Sequence, residues 1–181
     1  MTIAMKGTRR FGVVAGSTAL AFGLLAATMS GSADAAPAST AVTRAILNKQ
    51  NATLAFQSPY RVLDDPDGDN LPNRTPDGAG GYMFYKGALG RGAIYGHTRS
   101  GSTQAWTIYG NILAAWELRG WETGAGYPVG DEHSPNLAER NICSAATRVQ
   151  HFRKLSDSIY TTRMACFMPG AGTPFQVAWT G

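Results

Sequence analysis

The sequence predicts an α+β fold that combines short antiparallel β-hairpins with one or two short helices. Two neighbouring segments lead to this prediction. Polar and apolar residues alternate over Gln104–Tyr109, as is typical of a half-buried strand. Directly afterwards, the segment Asn111–Arg119 places Ile112, Leu113 and Trp116 on one face at helical spacing. The chain therefore passes from strand to helix within a few residues.

Residues 1–36 have the pattern of an export signal. Three basic residues stand near the start: Lys6, Arg9 and Arg10. The uncharged run Phe11–Met29 follows, and Ala33-Asp34-Ala35 is a small-x-small cleavage site. We therefore expect a secreted, extracellular protein with no membrane span after cleavage. The general secretory and twin-arginine routes both remain open.

The charge of the remaining chain is close to balanced. The full sequence has 16 Lys and Arg against 12 Asp and Glu, and three of the basic residues lie in the predicted signal. No segment forms the basic stripe that neutralises phosphates, so nucleic acid is not an expected partner.

The two cysteines, Cys143 and Cys166, both lie in the exported part of the chain. An even pair in an oxidising compartment predicts a disulfide. Closing this loop contributes roughly 3 kcal/mol in the chain-entropy model. A two-cysteine metal site is disfavoured because no histidine stands at a short ligand-like spacing from either cysteine.

Residues 37–81 are predicted to form an N-terminal helix followed by an acidic, Gly- and Pro-rich loop. The helix covers Ser39–Gln50, with Ser39 or Thr40 as its cap. A strand is predicted over Thr53–Gln57. The loop covers Asp64–Gly81, where turn-forming residues dominate.

Residues 82–181 are predicted to form a second region rich in strands. Strands at Tyr82–Tyr85 and Ala93–Tyr95 precede a turn at Thr98–Gly101, which makes a hairpin with Gln104–Tyr109. The helix that follows is expected to have Asn111 as its cap and to stop at Gly120. A turn at Gly124–Pro128 ends this unit.

The tail of the chain repeats part of this unit. Thr147–Phe152 and Ser158–Thr162 are predicted to form another hairpin. A second helix is not predicted. Cys166 and the turn Pro169–Gly172 are expected to stand in its place, with the disulfide substituting for the missing packing partner.

These residues resemble the LGFP repeat, which is found in secreted and cell-wall proteins of high-GC Gram-positive bacteria. The matching motifs are Gly92-Ala93-Ile94-Tyr95, Gly101, Ile108–Ile112, Trp116, Gly126-Tyr127-Pro128 and Asp131-Glu132. Ala125 stands where the signature turn usually has Leu. Asp157–Tyr160 would open a second copy, so the region holds about one and a half repeats, and residues 37–80 have no clear counterpart. The resemblance implies a non-enzymatic module that associates with cell-wall polysaccharide.

Aromatic residues are the best candidates for binding glycan, because sugar rings stack on exposed aromatic faces. We predict that Tyr95, Trp121 and Tyr127 form such a patch and that Trp116 lies in the core. In the strand Gln104–Tyr109, one of the two alternating sets of side chains is expected to face solvent.

Asp65, Asp67 and Asp69 are the candidate metal ligands. Alternating Asp with an intervening Gly places several carboxylates inside one tight loop, which suits calcium. The bidentate Glu expected at the twelfth position is absent, and the same residue types are typical of a solvated turn, so both interpretations remain open. No other cofactor is expected.

No catalytic residues are predicted. The chain lacks a Gly-x-Ser-x-Gly motif, and its three histidines are expected at the surface: His97, His133 and His151. Glu117 and Glu122 flank Trp121 and are interpreted as solvated charges rather than a glycosidase pair. A small secreted hydrolase acting on cell-wall glycan, and a secreted module with a protein partner, remain the alternatives.

Overall fold

The structure, a computed structural model, describes residues 37–65, 67–157, 162–170 and 177–181. The predicted export signal over residues 1–36 lies outside these ranges. So do Ser158–Tyr160 of the predicted second copy and Ala171-Gly172 of the predicted turn. In the described part of the chain, no helix combines the length and apolar character needed to cross a membrane.

The described residues form helices and strands in alternation. The helices are α1 (Thr40–Ala52), α2 (Gly110–Leu118), α3 (Trp121–Gly124) and α4 (Leu137–Ile142). The strands are β1 (Val62–Leu63), β2 (Asn73–Arg74), β3 (Gly80–Lys86), β4 (Gly92–Arg99), β5 (Ser102–Tyr109), β6 (Tyr127–Pro128), β7 (Arg148–Arg153), β8 (Arg163–Phe167) and β9 (Val177–Thr180).

These strands make two antiparallel sheets. The first has the order β1-β3-β4-β5, with β2 also paired to β3, and the second has the order β6-β7-β8-β9. Each strand pairs antiparallel with its neighbours, and the helices connect or cover the sheets. The predicted α+β fold of short hairpins and short helices is confirmed.

Helix α1 begins at the predicted cap and lies against the first sheet. The Ser39 hydroxyl accepts a 3.4 Å hydrogen bond from the backbone N–H of Val42. Gly81 and Gly96 are direct partners across β3 and β4, and they leave a hollow for this helix. A Cβ added to Gly81 would lie 2.5 Å from the Cβ of Ala38, and one on Gly96 would lie 3.0 Å from Ile46 Cγ1.

A 3₁₀ turn over Leu54–Phe56 follows α1, so the strand predicted over Thr53–Gln57 is wrong. The Phe56 N–H bonds to the Thr53 carbonyl within the turn, instead of to a neighbouring strand. The turn directs Phe56 into the core under α1, where its ring meets the Tyr85 ring edge-on at 5.0 Å. Tertiary packing has overridden the local strand preference of this segment.

The predicted hairpin and the helix after it are confirmed. Ser100 and Gly101, with φ of 50° and 77°, make the tight turn between β4 and β5. Helix α2 begins one residue earlier than expected, with the extended residue Tyr109 at its cap position, so Asn111 is not the cap. Gly120, with φ of 81°, supplies the left-handed stop that was predicted.

Both faces of the first sheet are covered, which contradicts the expectation that one side of β5 faces solvent. On one face, Ile94 packs with Val42 and Ile46 of α1. On the other, Ile108 packs with Trp116 of α2, and both are fully buried. The prediction that Trp116 lies in the core is therefore confirmed.

The second sheet contains the predicted disulfide. Cys143 ends α4, and its sulfur is bonded to Cys166 in β8. Strand β7 overlaps the predicted Thr147–Phe152 and pairs with β8, whereas residues 158–161 of its predicted partner lie outside the described ranges. Because Cys166 lies within a strand, the expectation that it replaces a second helix is wrong. The disulfide instead ties α4 to the sheet.

Candidate functional site

The three aromatic residues predicted to bind glycan do not share an exposed patch. Tyr95 is 2% exposed and Tyr127 is 1% exposed, whereas Trp121 is partly exposed. Tyr95 points from β4 into the core, where its ring meets that of Trp116 at 4.7 Å. Tyr127 packs its ring 4.9 Å from His97. Since α2 and the second sheet cover them, Tyr95 and Tyr127 offer no face to a ligand.

Trp121 has an unusual backbone conformation. Its φ is 59°, in the left-handed region that bulky residues rarely adopt, and it follows left-handed Gly120. This reversal between α2 and α3 brings the indole against Phe84 at 5.6 Å and Trp116 at 5.2 Å. Such strain persists where the surroundings fix the conformation, and it often occurs at binding sites.

Strand β3 places two further aromatic residues beside Trp121. Tyr82 and Phe84 alternate with the buried Met83, and both are half-buried with ring centroids 5.1 Å apart. Tyr82 also stacks on Tyr95 at 5.4 Å, which fixes its orientation. We call Tyr82, Phe84 and Trp121 the aromatic face. The alternation in β3 was the sequence signal that could have identified the first two.

Charged groups border the aromatic face. Arg91 forms a 2.8 Å ion pair with Glu117, and its guanidinium lies 6.0 Å from the Phe84 ring. Glu122 is 5% exposed, contrary to the expectation of a solvated charge. Burial is the main reason that the pKa of Glu122 is raised, and the negative charge of Asp77 adds to this effect.

The carboxylate of Asp77, whose charge contributes to the raised pKa of Glu122, itself accepts several hydrogen bonds. The Tyr127 hydroxyl donates to Oδ1 at 2.6 Å, the Thr75 hydroxyl at 2.8 Å and the Ala79 N–H at 3.0 Å. Burial opposes ionisation of Asp77, but these bonds outweigh it and hold the pKa below its usual value.

The acidic pair of the signature ties elements together. Asp131 accepts hydrogen bonds from the backbone and the hydroxyl of Thr107, each at 2.9 Å, and forms an ion pair with Lys49 of α1. Glu132 forms a 2.8 Å ion pair with Arg148 of β7. The two carboxylates therefore connect the first sheet, α1 and the second sheet.

The acidic loop brings the three predicted calcium ligands together. One carboxylate oxygen from each of Asp65, Asp67 and Asp69 lies within 4.8 Å of the others. The same carboxylates accept loop N–H groups, from Asn70 to Asp65 at 2.6 Å and from Leu71 to Asp69 at 2.7 Å. This is also the pattern of Asx turns, and calcium binding at the loop stays a prediction.

Of the three histidines expected at the surface, His97 is buried, whereas His133 and His151 are partly exposed. His97 is 3% exposed on β4, with Nε2 3.3 Å from the Pro128 carbonyl. His133 and His151 are partly exposed, and their Nε2 atoms lie 3.0 Å and 2.6 Å from Oε1 of Glu139.

The pKa of Glu139 is lowered to about 2, because its hydrogen bonds outweigh the opposing effect of burial. The largest favourable contribution is the bond from His151, followed by those from the Asn136 N–H and His133. Sequence reasoning missed this cluster, since its three members are widely spaced. The local signal was the Asn136/Glu139 capping box, which predicts a helix start but no ligand.

Residues 66–124 match the family described as LGFP repeat. No curated protein and no solved structure gives a significant match. The match begins within the acidic loop, so the expectation that residues 37–80 have no counterpart is wrong for residues 66–80. It ends at Gly124, before the Gly126-Tyr127-Pro128 motif.

Proposed function

Because residues 66–124 of this chain form an LGFP repeat, we propose that it is a secreted, non-enzymatic module that associates with cell-wall polysaccharide. The LGFP repeat is a module of secreted and cell-surface proteins and not a known catalytic family. The aromatic face of Tyr82, Phe84 and Trp121 is the proposed contact surface.

The backbone conformation of Trp121 is the observation that carries this proposal. A φ of 59° is unfavourable for a bulky residue. In this conformation the partly exposed indole of Trp121 packs against the rings of Phe84 and Trp116. An aromatic ring fixed in this way loses little conformational freedom when it contacts a sugar ring. A flat, rigid, half-exposed indole suits the C–H surface of a pyranose.

Polar groups beside the aromatic face supply hydrogen bonds to sugar hydroxyls. The Arg91 side chain is 59% exposed and that of Glu117 is 20% exposed, so their ion pair is accessible to ligand. A guanidinium offers several donors and a carboxylate several acceptors, which matches the mixed character of hydroxyls. This combination of apolar face and polar rim is common in small-ligand sites.

Sedimentation with purified cell-wall sacculi tests the proposal. Trp121→Gly removes the indole, and glycine adopts the left-handed φ readily, so the backbone is not further strained. Trp121→Phe keeps an aromatic ring, and Tyr60→Ala removes an aromatic residue that is 40% exposed outside the aromatic face.

We expect Trp121→Gly to weaken retention about tenfold or more, as for a central contact residue. Trp121→Phe should weaken it less, and Tyr60→Ala should match the wild type. Undiminished retention of folded Trp121→Gly, with near-UV circular dichroism confirming the fold, would refute the aromatic face as the contact surface.

A further inference from the structure

The fold brings together His133, Glu139 and His151, which come from a loop, from α4 and from β7. One ligand atom from each lies within 4.8 Å of the other two. The imidazole rings are nearly parallel, with an interplanar angle of 20° and centroids 5.8 Å apart. Both Nε2 atoms point at the same carboxylate oxygen, Glu139 Oε1, at 3.0 Å and 2.6 Å.

The backbone holds both imidazoles in place. His133 and Val149 exchange two backbone hydrogen bonds, at 3.0 Å and 2.9 Å, which fix His133 beside β7. His151 lies two residues further along β7, on the same side of the strand as Val149. This pairing explains why the two rings stand next to each other.

The hydrogen bond at Nδ1 of His133 determines what its other nitrogen can do. Nδ1 lies 3.0 Å from the Asp131 carbonyl, which only accepts, so Nδ1 carries the hydrogen. Nε2 can then donate a hydrogen to the Glu139 carboxylate only when the ring is protonated; in the neutral ring it presents a lone pair to the carboxylate oxygen, and the two lone pairs repel. A cation between them removes the repulsion. A carbonyl bound to the distal N–H is also the usual partner of a metal-ligating histidine.

Glu139 is the fixed member of the group. Its side chain is 10% exposed, and Oε2 accepts the Asn136 N–H at 2.7 Å in a capping box. The His133 and His151 side chains are 44% and 30% exposed, so an ion can enter from solvent. At the other end of α4, the bond from Cys143 to Cys166 anchors the helix to β8, next to β7. The pairing of His133 with Val149, the capping box and the disulfide therefore hold the three side chains in place.

We propose that His133, Glu139 and His151 bind a divalent transition-metal ion, zinc above all. Two imidazole nitrogens and one carboxylate oxygen form a ligand set that zinc accepts and that calcium, which prefers oxygen, does not. Ligands of a tetrahedral ion at about 2.0–2.1 Å stand roughly 3.3 Å apart. The Nε2 atoms of His133 and His151 now lie 3.0 Å and 2.6 Å from Glu139 Oε1. Binding therefore needs both partly exposed rings to move away from this oxygen, His133 by about 0.3 Å and His151 by about 0.7 Å. Water would complete the coordination.

Titration of the untagged, metal-free protein with Zn²⁺ tests the proposal, and Co²⁺ absorption reports the coordination. The chain has three histidines in all, and its two cysteines are joined in the disulfide. Competing sites are thus few. At about pH 7.5, where free imidazole is neutral, we expect one Zn²⁺ per chain and visible Co²⁺ bands of a four- or five-coordinate ion.

Variants identify the ligands. His133→Ala and His151→Ala should each weaken Zn²⁺ binding at least tenfold and abolish the Co²⁺ bands. Glu139→Gln should do so too, while its amide oxygen still accepts the Asn136 N–H and preserves the cap. Asp67→Asn, in the acidic loop, should bind as the wild type does.

Two results would overturn the proposal. One is failure of the folded wild type to bind Zn²⁺, which would leave an imidazolium–carboxylate pair as the role of the cluster. The other is binding that persists in the His133→Ala/His151→Ala double variant. Neither result bears on the aromatic face, which lies on other residues.

Discussion

The hydroxyl of Tyr127 donates a 2.6 Å hydrogen bond to Oδ1 of Asp77. Tyr127 belongs to β6, where the sequence predicted a turn over Gly124–Pro128, and Asp77 belongs to the loop before β3. The bond therefore joins two segments that are 50 positions apart. Tyr127, predicted to contact glycan, thus has a structural role. It satisfies a carboxylate that burial would otherwise destabilise.

Removing the Tyr127 hydroxyl should destabilise the fold. Tyr127→Phe keeps the ring packing but leaves Asp77 with one donor fewer, and hydrogen bonds to charged groups contribute about 1.5–3 kcal/mol. We expect urea unfolding to show a decrease of this size in the free energy of unfolding. In a double-mutant cycle with Asp77→Asn, the two losses should not add. Full additivity would contradict a direct energetic link.

Stability should fall in mild acid because His97 is buried. Burial is the main cause of its lowered pKa, and the charge of Arg99 acts in the same direction, whereas the Pro128 carbonyl and Asp77 oppose it. The unfolded chain takes up a proton near pH 6.5, about the free value, while the folded chain does not. The free energy of unfolding is thus undiminished above that pH and decreases below it, by at most about 1.4 kcal/mol per pH unit.

Comparison of His97→Gln with the wild type isolates this effect. The Gln amide can still donate to the Pro128 carbonyl but does not titrate. When urea unfolding is measured between about pH 7.5 and about pH 5, the free energy of unfolding should decrease less for the variant than for the wild type. Parallel curves would show that His97 does not control the acid response.

The hollow for α1 depends on Gly81 and Gly96. Gly81→Ala should lower the free energy of unfolding by about 1–3 kcal/mol, because the new methyl group would overlap Ala38, just before the helix, and crowd Val42 on it. Gly130→Ala is the matched control, since a Cβ there meets nothing within 4 Å. Equal stabilities of the two variants in thermal unfolding would contradict the close approach of α1.

Loss of the Cys143–Cys166 bond should affect stability and metal binding together. The bond closes a loop with a sequence separation of 23, and Cys143→Ser/Cys166→Ser should lower the free energy of unfolding by about 3 kcal/mol. Because the bond anchors α4, Zn²⁺ affinity should fall in the variant under conditions where it remains folded. Unchanged affinity would show that Glu139 is positioned without the disulfide.

The elements that the sequence predicted well are those fixed by local contacts. The hairpin of β4 and β5, α1 and α2 each depend on alternation, caps and glycines within about ten residues. The strand expected over Thr53–Gln57 failed because Phe56 is drawn into the core beneath α1. That contact depends on distant residues and leaves no local pattern.

The candidate sites were harder to predict, because burial depends on how elements pack. Tyr95 and Tyr127 have the same residue type as Tyr82, yet the first two are buried and the third is half-exposed. The cluster of His133 and His151 depends on the pairing of His133 with Val149. Spacing along the chain indicates neither result.

The measurement that tests the central proposal most directly is incubation of the protein with purified cell-wall sacculi, with and without calcium. The pellet is assayed for the protein and the supernatant for released sugar. We expect retention in the pellet with no sugar release, and retention that requires calcium would support a site at Asp65, Asp67 and Asp69. Released sugar would contradict a non-enzymatic module, and absence of retention would contradict association with the wall.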